Sequence, residues 1–218
     1  MWTYKGVKVH WLGHDSFVLQ GSRTLIFDPF NAKGDYKADI LLISHEHHDH
    51  LSEADIRRFS SPSTVLVAPR ICEAPLRHFP QEKKFVDPDS KIDVRGVKIE
   101  AVPAYNLNKF REPGKVFHPK VDGKVGYVVT LDGVRFYHAG DSDATPEMKA
   151  IDVDVAFLPV SGTYVMTAEE AAEAAKAMKV KVAVPMHYGA LVGTVEDAIR
   201  FRNLVSPARQ VVVLEKEA

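Results

Sequence analysis

Two packed β-sheets covered by helices, in one domain over residues 1–218, is the mixed α/β architecture the sequence predicts. Three observations lead there. Short apolar runs bounded by turn residues recur in both halves of the chain, and each half adds helices with capping signals. No long linker, low-complexity tract or exact repeat divides the halves. Mixed strands with helices outside them are stable as sheet layers covered by helices.

Residues 7–12, 16–19 and 24–27 are apolar stretches separated by Gly13-His14-Asp15 and Gln20-Gly21-Ser22-Arg23, which predicts an antiparallel meander. The near-continuous apolar run 40–43 suits a strand buried on both faces, and 65–67 is similar. Residues 93–102, with Gly96 at the centre, predict a hairpin. A helix starts at Ser52, with Asp55 three residues on, and another is expected over 69–78 despite Pro75. In the second half, strands 126–130 and 134–137 flank Leu131-Asp132-Gly133, a strong hairpin signal. Strand 155–158 leads to a helix over 167–178 with Thr167 and Glu170 as capping box and an alanine-rich apolar stripe. Strand 180–184, a helix opening at Thr194 and a strand at 210–214 complete the chain.

Composition excludes several function classes. Lys plus Arg total 28 against 29 Asp plus Glu, so there is no basic excess for a broad electrostatic nucleic-acid binder. A single cysteine, Cys72, excludes an internal disulfide and a thiolate zinc site. The N-terminal residues lack an apolar signal region, and no apolar run approaches the ~20 residues of a membrane helix. A cytoplasmic protein without membrane contact is expected.

The chemistry concentrates in Ser44-His45-Glu46-His47-His48-Asp49-His50-Leu51-Ser52, where four of ten histidines fall within six residues. The stretch follows a buried strand and precedes a helix, so its side chains can converge. A solvated polar loop is the plain alternative. Neutral imidazole is the commonest biological metal ligand, and clustered His with Asp builds N/O sites for Zn, Mn or Fe.

His45-x-His47-x-Asp49-His50 after a buried strand resembles the signature of the metallo-β-lactamase superfamily. Gly13-His14-Asp15, Asp28-Pro29-Phe30, Tyr137-His138-Ala139-Gly140-Asp141 and Pro185-Met186-His187-Tyr188-Gly189 fall in that family's order. The chain looks most like the small metal-dependent hydrolases resembling the ascorbate-6-phosphate lactonase group. It is also similar to the catalytic domain of N-acyl-phosphatidylethanolamine phospholipase D. The resemblance implies a four-layer αββα sandwich with one or two divalent ions at one edge between the sheets, zinc first and manganese or iron as alternatives. It implies His45 and His47 on the first ion, Asp49, His50 and His187 on the second, and Asp141 bridging both. The family's usual third histidine for the first ion is replaced here by Asn106, after Val102-Pro103-Ala104-Tyr105. Two completions stay open: His118 swings in from the following loop, which is preferred, or the first site is weak and one ion is held firmly.

Other residues have two readings each. His138 and His14 either orient the ligands or are buried and bonded to backbone. His48 is expected to face outward. Asp28 either braces the histidine loop or caps a turn. Residues 103–124 are expected to be irregular, and their five basic residues outnumber Glu112 and Asp122. A basic lid beside the metals would suit a small anionic substrate; a solvated charged loop is the alternative.

The implied chemistry is hydrolysis of an ester, lactone or phosphodiester by a metal-activated water. Asp49 would accept a hydrogen bond from that water, and His118, if free, would protonate the departing oxygen. A metal- and anion-binding module without turnover is the alternative, kept alive by Asn106. A di-iron redox version and an RNA nuclease rank lower, since each normally brings a further domain. A small-molecule substrate is expected, and homo-oligomerisation is left open.

Overall fold

Strand alternation decides which way each apolar side chain faces, and here it builds two cores. We describe the protein from a computed structural model, which covers residues 1–206 and 208–217. In strand β4 (Thr24–Phe27) of the first sheet, Leu25 and Phe27 enter the larger core between the sheets, while Ile26 enters the smaller core beneath the outer helices. The neighbouring strand β5 (Ile40–Leu42) repeats the pattern, with Ile40 and Leu42 facing one way and Leu41 the other. Such a strand is buried on both faces, which is why its sequence reads as a continuous apolar run.

The first sheet holds β1 (Trp2–Tyr4), β2 (Val7–Gly13), β3 (Ser16–Gln20), β4 (Thr24–Phe27), β5 (Ile40–Leu42), β6 (Val65–Pro69) and β7 (Glu82–Val86) in sequential order. Pairing is antiparallel from β1 to β4 and parallel from β4 to β7. Helices α1 (Glu53–Phe59) and α2 (Glu73–Leu76) cover its outer face through Ile56, Phe59 and Leu76. Each such buried side chain is worth roughly 1.5–3 kcal/mol of transfer free energy. Ser52 caps α1 by accepting from the Asp55 backbone N–H.

The second sheet repeats the plan. The strands β8 (Lys91–Val94), β9 (Val97–Pro103), β12 (Val125–Leu131) and β13 (Val134–His138) pair antiparallel. The strands β14 (Asp152–Pro159), β15 (Lys179–Met186) and β16 (Gln210–Val211) continue the sheet in parallel. Between β9 and β12 in the chain, β10 (Phe110–Glu112) and β11 (Lys115–Val116) form a separate ribbon. Helices α3 (Pro146–Lys149), α4 (Ala168–Ala177) and α5 (Val195–Val205) accompany the second sheet. The result is the four-layer αββα sandwich that the family resemblance implies. Among the described residues no helix is long and apolar enough to cross a membrane.

The structure departs from the sequence expectations at several elements. The helix expected over 69–78 is a 3-10 turn, Arg70–Cys72, followed by the four-residue α2, because Pro75 lacks the N–H a longer helix needs. Residues 103–124 are not wholly irregular, since they contain the β10–β11 ribbon and the 3-10 turn Lys120–Asp122. The strand expected at 210–214 is only two residues long. Strands β1 and β7 were not expected; both lie at the edge of their sheet, and β7 carries the charged residues that protect an edge. Helix α3 was also unexpected, although Thr145 as cap before Pro146 is a recognisable start.

Candidate metal centre

Five separate stretches deliver their polar side chains to one end of the sandwich. The histidine-rich loop follows β5, Asp141 follows β13, and His187 follows β15. The turn between β2 and β3 supplies His14 and Asp15. His118 arrives from the segment after the β10–β11 ribbon. Gly140 permits the approach: a Cβ there would lie 3.0 Å from both the Ser44 Cβ and the Val125 carbonyl oxygen. His14, Asp28 and His187 all adopt positive φ, at 50°, 38° and 60°. Such backbone is costly for residues with a side chain and concentrates at functional sites.

Asp141 lies at the centre. Its Oδ1 is 3.3 Å from His50 Nε2 and 3.3 Å from His187 Nε2. Its Oδ2 is 3.6 Å from His118 Nε2 and 3.9 Å from His45 Nε2. One carboxylate therefore faces two separate pairs of imidazoles. His47 Nδ1 joins the second pair, at 3.1 Å from His45 Nε2 and 3.3 Å from His118 Nε2. Donor atoms of His45, His47, His118 and Asp141 all lie within 4.8 Å of one another, and so do those of His14, Asp49, His50 and His187.

The histidines are held from behind. Ser44 Oγ lies 2.9 Å from His45 Nδ1, Asp28 Oδ2 2.8 Å from His50 Nδ1, and Ser161 Oγ 2.9 Å from His187 Nδ1. Asn106 Oδ1 lies 3.0 Å from His118 Nδ1 and also accepts from the His118 backbone N–H. Every one of these Nδ1 anchors turns Nε2 inward, the arrangement that fixes tautomer and ring orientation in metal-ligating histidines. Yet His50 Nε2, His187 Nε2 and Asp141 Oδ1 are buried with no aligned hydrogen-bond partner among the described residues. Buried polar atoms left this way are rare. Donor atoms of these three residues and Asp15 lie within 4.8 Å of one another, close enough for one cation to satisfy them together. A nitrogen and oxygen donor set without sulfur suits Zn, Mn or Fe.

Electrostatics separates the two sets. Burial lowers the pKa of His45, His47 and His118, the last to about 4, so these imidazoles are neutral at pH 7. Burial also opposes charge on His187 and His50, but the facing Asp141 outweighs it. His187 rises to about 9, and His50 also rises, with Asp28 adding to the effect. Asp141 is pushed upward by burial but held far below the usual carboxylate range by His187 and His50. Burial pushes the Asp15 carboxyl far above that range. Asp49, bonded to His14 at 3.1 Å, stays ionised.

All seven residues expected to bind metal, His45, His47, Asp49, His50, His118, Asp141 and His187, are thus brought together. His48 faces outward, its side chain 80% exposed. Asp28 does brace the loop, accepting from the Ser44 N–H and hydroxyl as well as bonding His50. His138 takes the backbone-bonded reading, with Nε2 2.8 Å from the Asp15 carbonyl oxygen. Four of the five basic residues in the loop are ion-paired. Lys109 binds Glu170, Lys115 binds Glu112, Lys120 binds Glu147 and Lys124 binds Glu46. None of these lysines, nor Arg111, lines the cavity over the cluster. Net charge along a loop does not reveal such partners, which lie mostly in other segments.

Sequence reasoning missed Ser161 and Lys124, whose Nζ lies 3.2 Å from His47 Nε2. No local signal marks either, because their partners are distant in sequence. Asp15 was legible only as part of a turn.

Comparison with known proteins adds a lineage to this geometry. Residues 8–187 match the family described as the beta-lactamase superfamily domain. A UPF0173 metal-dependent hydrolase of Thermococcus onnurineus is 31% identical, over 96% of each chain. One of Methanoculleus marisnigri is 35% identical, over 91% of this chain and 88% of that one. A solved protein of Parabacteroides distasonis, described as a proposed metal-dependent hydrolase, superposes with a TM-score of 0.84 at 32% identity, covering 97% of this chain and 94% of that one.

Proposed function

The chain belongs to the metallo-β-lactamase superfamily, and on that premise we propose that it is a metal-dependent hydrolase of a small molecule, cleaving an ester, lactone or phosphodiester bond. The observation that carries the reading is Asp141, one buried carboxylate facing two imidazole sets. His45, His47, His118 and Asp141 Oδ2 would hold one divalent ion. His50, His187, Asp49 and Asp141 Oδ1 would hold a second, with zinc the first candidate and manganese or iron next. When bound, such ions lower the pKa of water from about 16 towards about 7 and polarise the scissile group.

The protein's own residues supply the rest. Asp49 is ionised and lines the cavity, so it accepts a hydrogen bond from the attacking water and directs its lone pair. His14 keeps that carboxylate oriented through its bond to Oδ2. His118 has both ring nitrogens committed, to Asn106 and to the cluster, so we assign it to ligation rather than to proton transfer. The departing oxygen then takes its proton from solvent. Cys72 is buried, and burial raises its thiol pKa, which leaves it unsuited as a nucleophile. The hydrolase names of the relatives favour turnover over a binding module.

A panel of lactones, phosphodiesters and thioesters, assayed with added Zn or Mn, tests the proposal. Turnover is expected for at least one class. It should vanish on chelation, return with metal, and fall by a factor of about 100 or more in Asp49→Ala. Turnover that persists unchanged in the chelated protein would contradict it.

A further inference from the structure

The cavity over the cluster, about 440 Å³, has one wall that metal binding does not explain: Phe117, Tyr164, Leu191 and Val192. Phe117 and Tyr164 meet edge to face, with centroids 4.6 Å apart and planes at 73°. Tyr164 is 43% exposed and Leu191 52% exposed, so neither is placed there by core packing. Tyr164 also sits at φ 67°, an unfavourable backbone for an aromatic residue. Its carbonyl accepts from Asn106 Nδ2 at 2.8 Å, while the same side chain's oxygen anchors His118. One amide thus ties the aromatic wall to the metal-facing histidine. An exposed aromatic held on left-handed backbone beside the cluster marks a surface kept for a ligand.

The wall also lacks positive charge. An anionic group seated against it would lose hydration without gaining a cation there, which is unfavourable. Pockets of this size that combine aromatic and apolar walls with a few convergent polar groups bind the apolar body of a ligand and orient its polar end. We infer that the substrate is an uncharged ester or lactone bearing a planar apolar ring, with the ring against Phe117 and Tyr164 and the carbonyl turned to the cluster. This narrows the substrate and rests on the hydrolase reading above.

Lactams, which resist hydrolysis, allow the test to be made by binding. Calorimetric titration of the metal-loaded protein would compare 3,4-dihydro-2(1H)-quinolinone, which carries the fused ring, with δ-valerolactam, which lacks it, and with inorganic phosphate. The fused-ring lactam is expected to bind at least about tenfold more tightly than either. Tyr164→Gly removes the ring and suits the left-handed backbone, so folding is not put at risk; it should erase most of that preference. Tyr164→Phe should keep it. Equal affinity for the two lactams, tighter binding of phosphate, or a preference untouched in Tyr164→Gly would overturn the inference. Because no bond is cleaved, the preference can stand while the substrate panel shows no turnover; that result would sink the hydrolase reading alone.

Discussion

Asp141→Ala is expected to lower kcat/KM by at least about a thousandfold, roughly 4 kcal/mol of transition-state stabilisation. The reason is positional. Asp141 places one oxygen toward His50 and His187 and the other toward His118 and His45. Removing it would strip a ligand from both sets at once and take away the negative charge that would offset two neighbouring dications. Asp141→Asn should be nearly as damaging, since the amide keeps the shape but loses the charge and presents a donor to one imidazole pair. The check is hydrolysis of the best panel substrate with metal in excess. A loss below about tenfold would mean that Asp141 is not shared between two ions.

Asp28→Ala is expected to cost about 3–5 kcal/mol of stability, the penalty typical of leaving buried charged or donor partners uncompensated. Asp28 is 1% exposed. It accepts from the Ser44 N–H at 2.7 Å and hydroxyl at 2.6 Å, and lies 2.8 Å from His50 Nδ1. In a chain of this size the loss should lower Tm by roughly 6–20 °C, read by scanning calorimetry of the metal-free protein. Because His50 also loses its anchor, affinity for the second ion should fall by about 10–100-fold. A Tm within 2 °C of the parent, about the shift of a substitution away from such a network, would show that the loop holds itself without Asp28.

Much of this is legible in the amino-acid sequence. Strands buried on both faces announce themselves as apolar runs, as at Ile40 and Leu42. The Asp132-Gly133 turn fixed its hairpin because both residues take positive φ, at 50° and 76°. Six of the seven cluster residues could be named because their family resemblance supplies which distant segments meet, which spacing alone does not; His118 was the preferred stand-in for the third histidine the family usually supplies. What stayed hidden depends on partners across the fold. The sequence shows Asn106 as a lost histidine; the structure shows it as the bracket between His118 and Tyr164. It shows Lys109 and Lys120 as spare charge, whereas each is paired with a glutamate from another element. The edge strand β7 was invisible because its Glu-Lys-Lys run answers to solvent rather than to a core.

Titration of metal-free protein with zinc at pH 7, in buffers of different ionisation enthalpy, tests the central claim that these side chains form two ion sites sharing Asp141. At that pH His187, with its pKa near 9, and His50 carry protons that a ligating nitrogen must lose, whereas His45, His47 and His118 do not. The account predicts two ions per chain, protons released mainly with one of them, an affinity for that ion that climbs as pH rises towards 9, and a single ion in His118→Ala. One ion or none in the parent chain, or an unchanged count in His118→Ala, would contradict it.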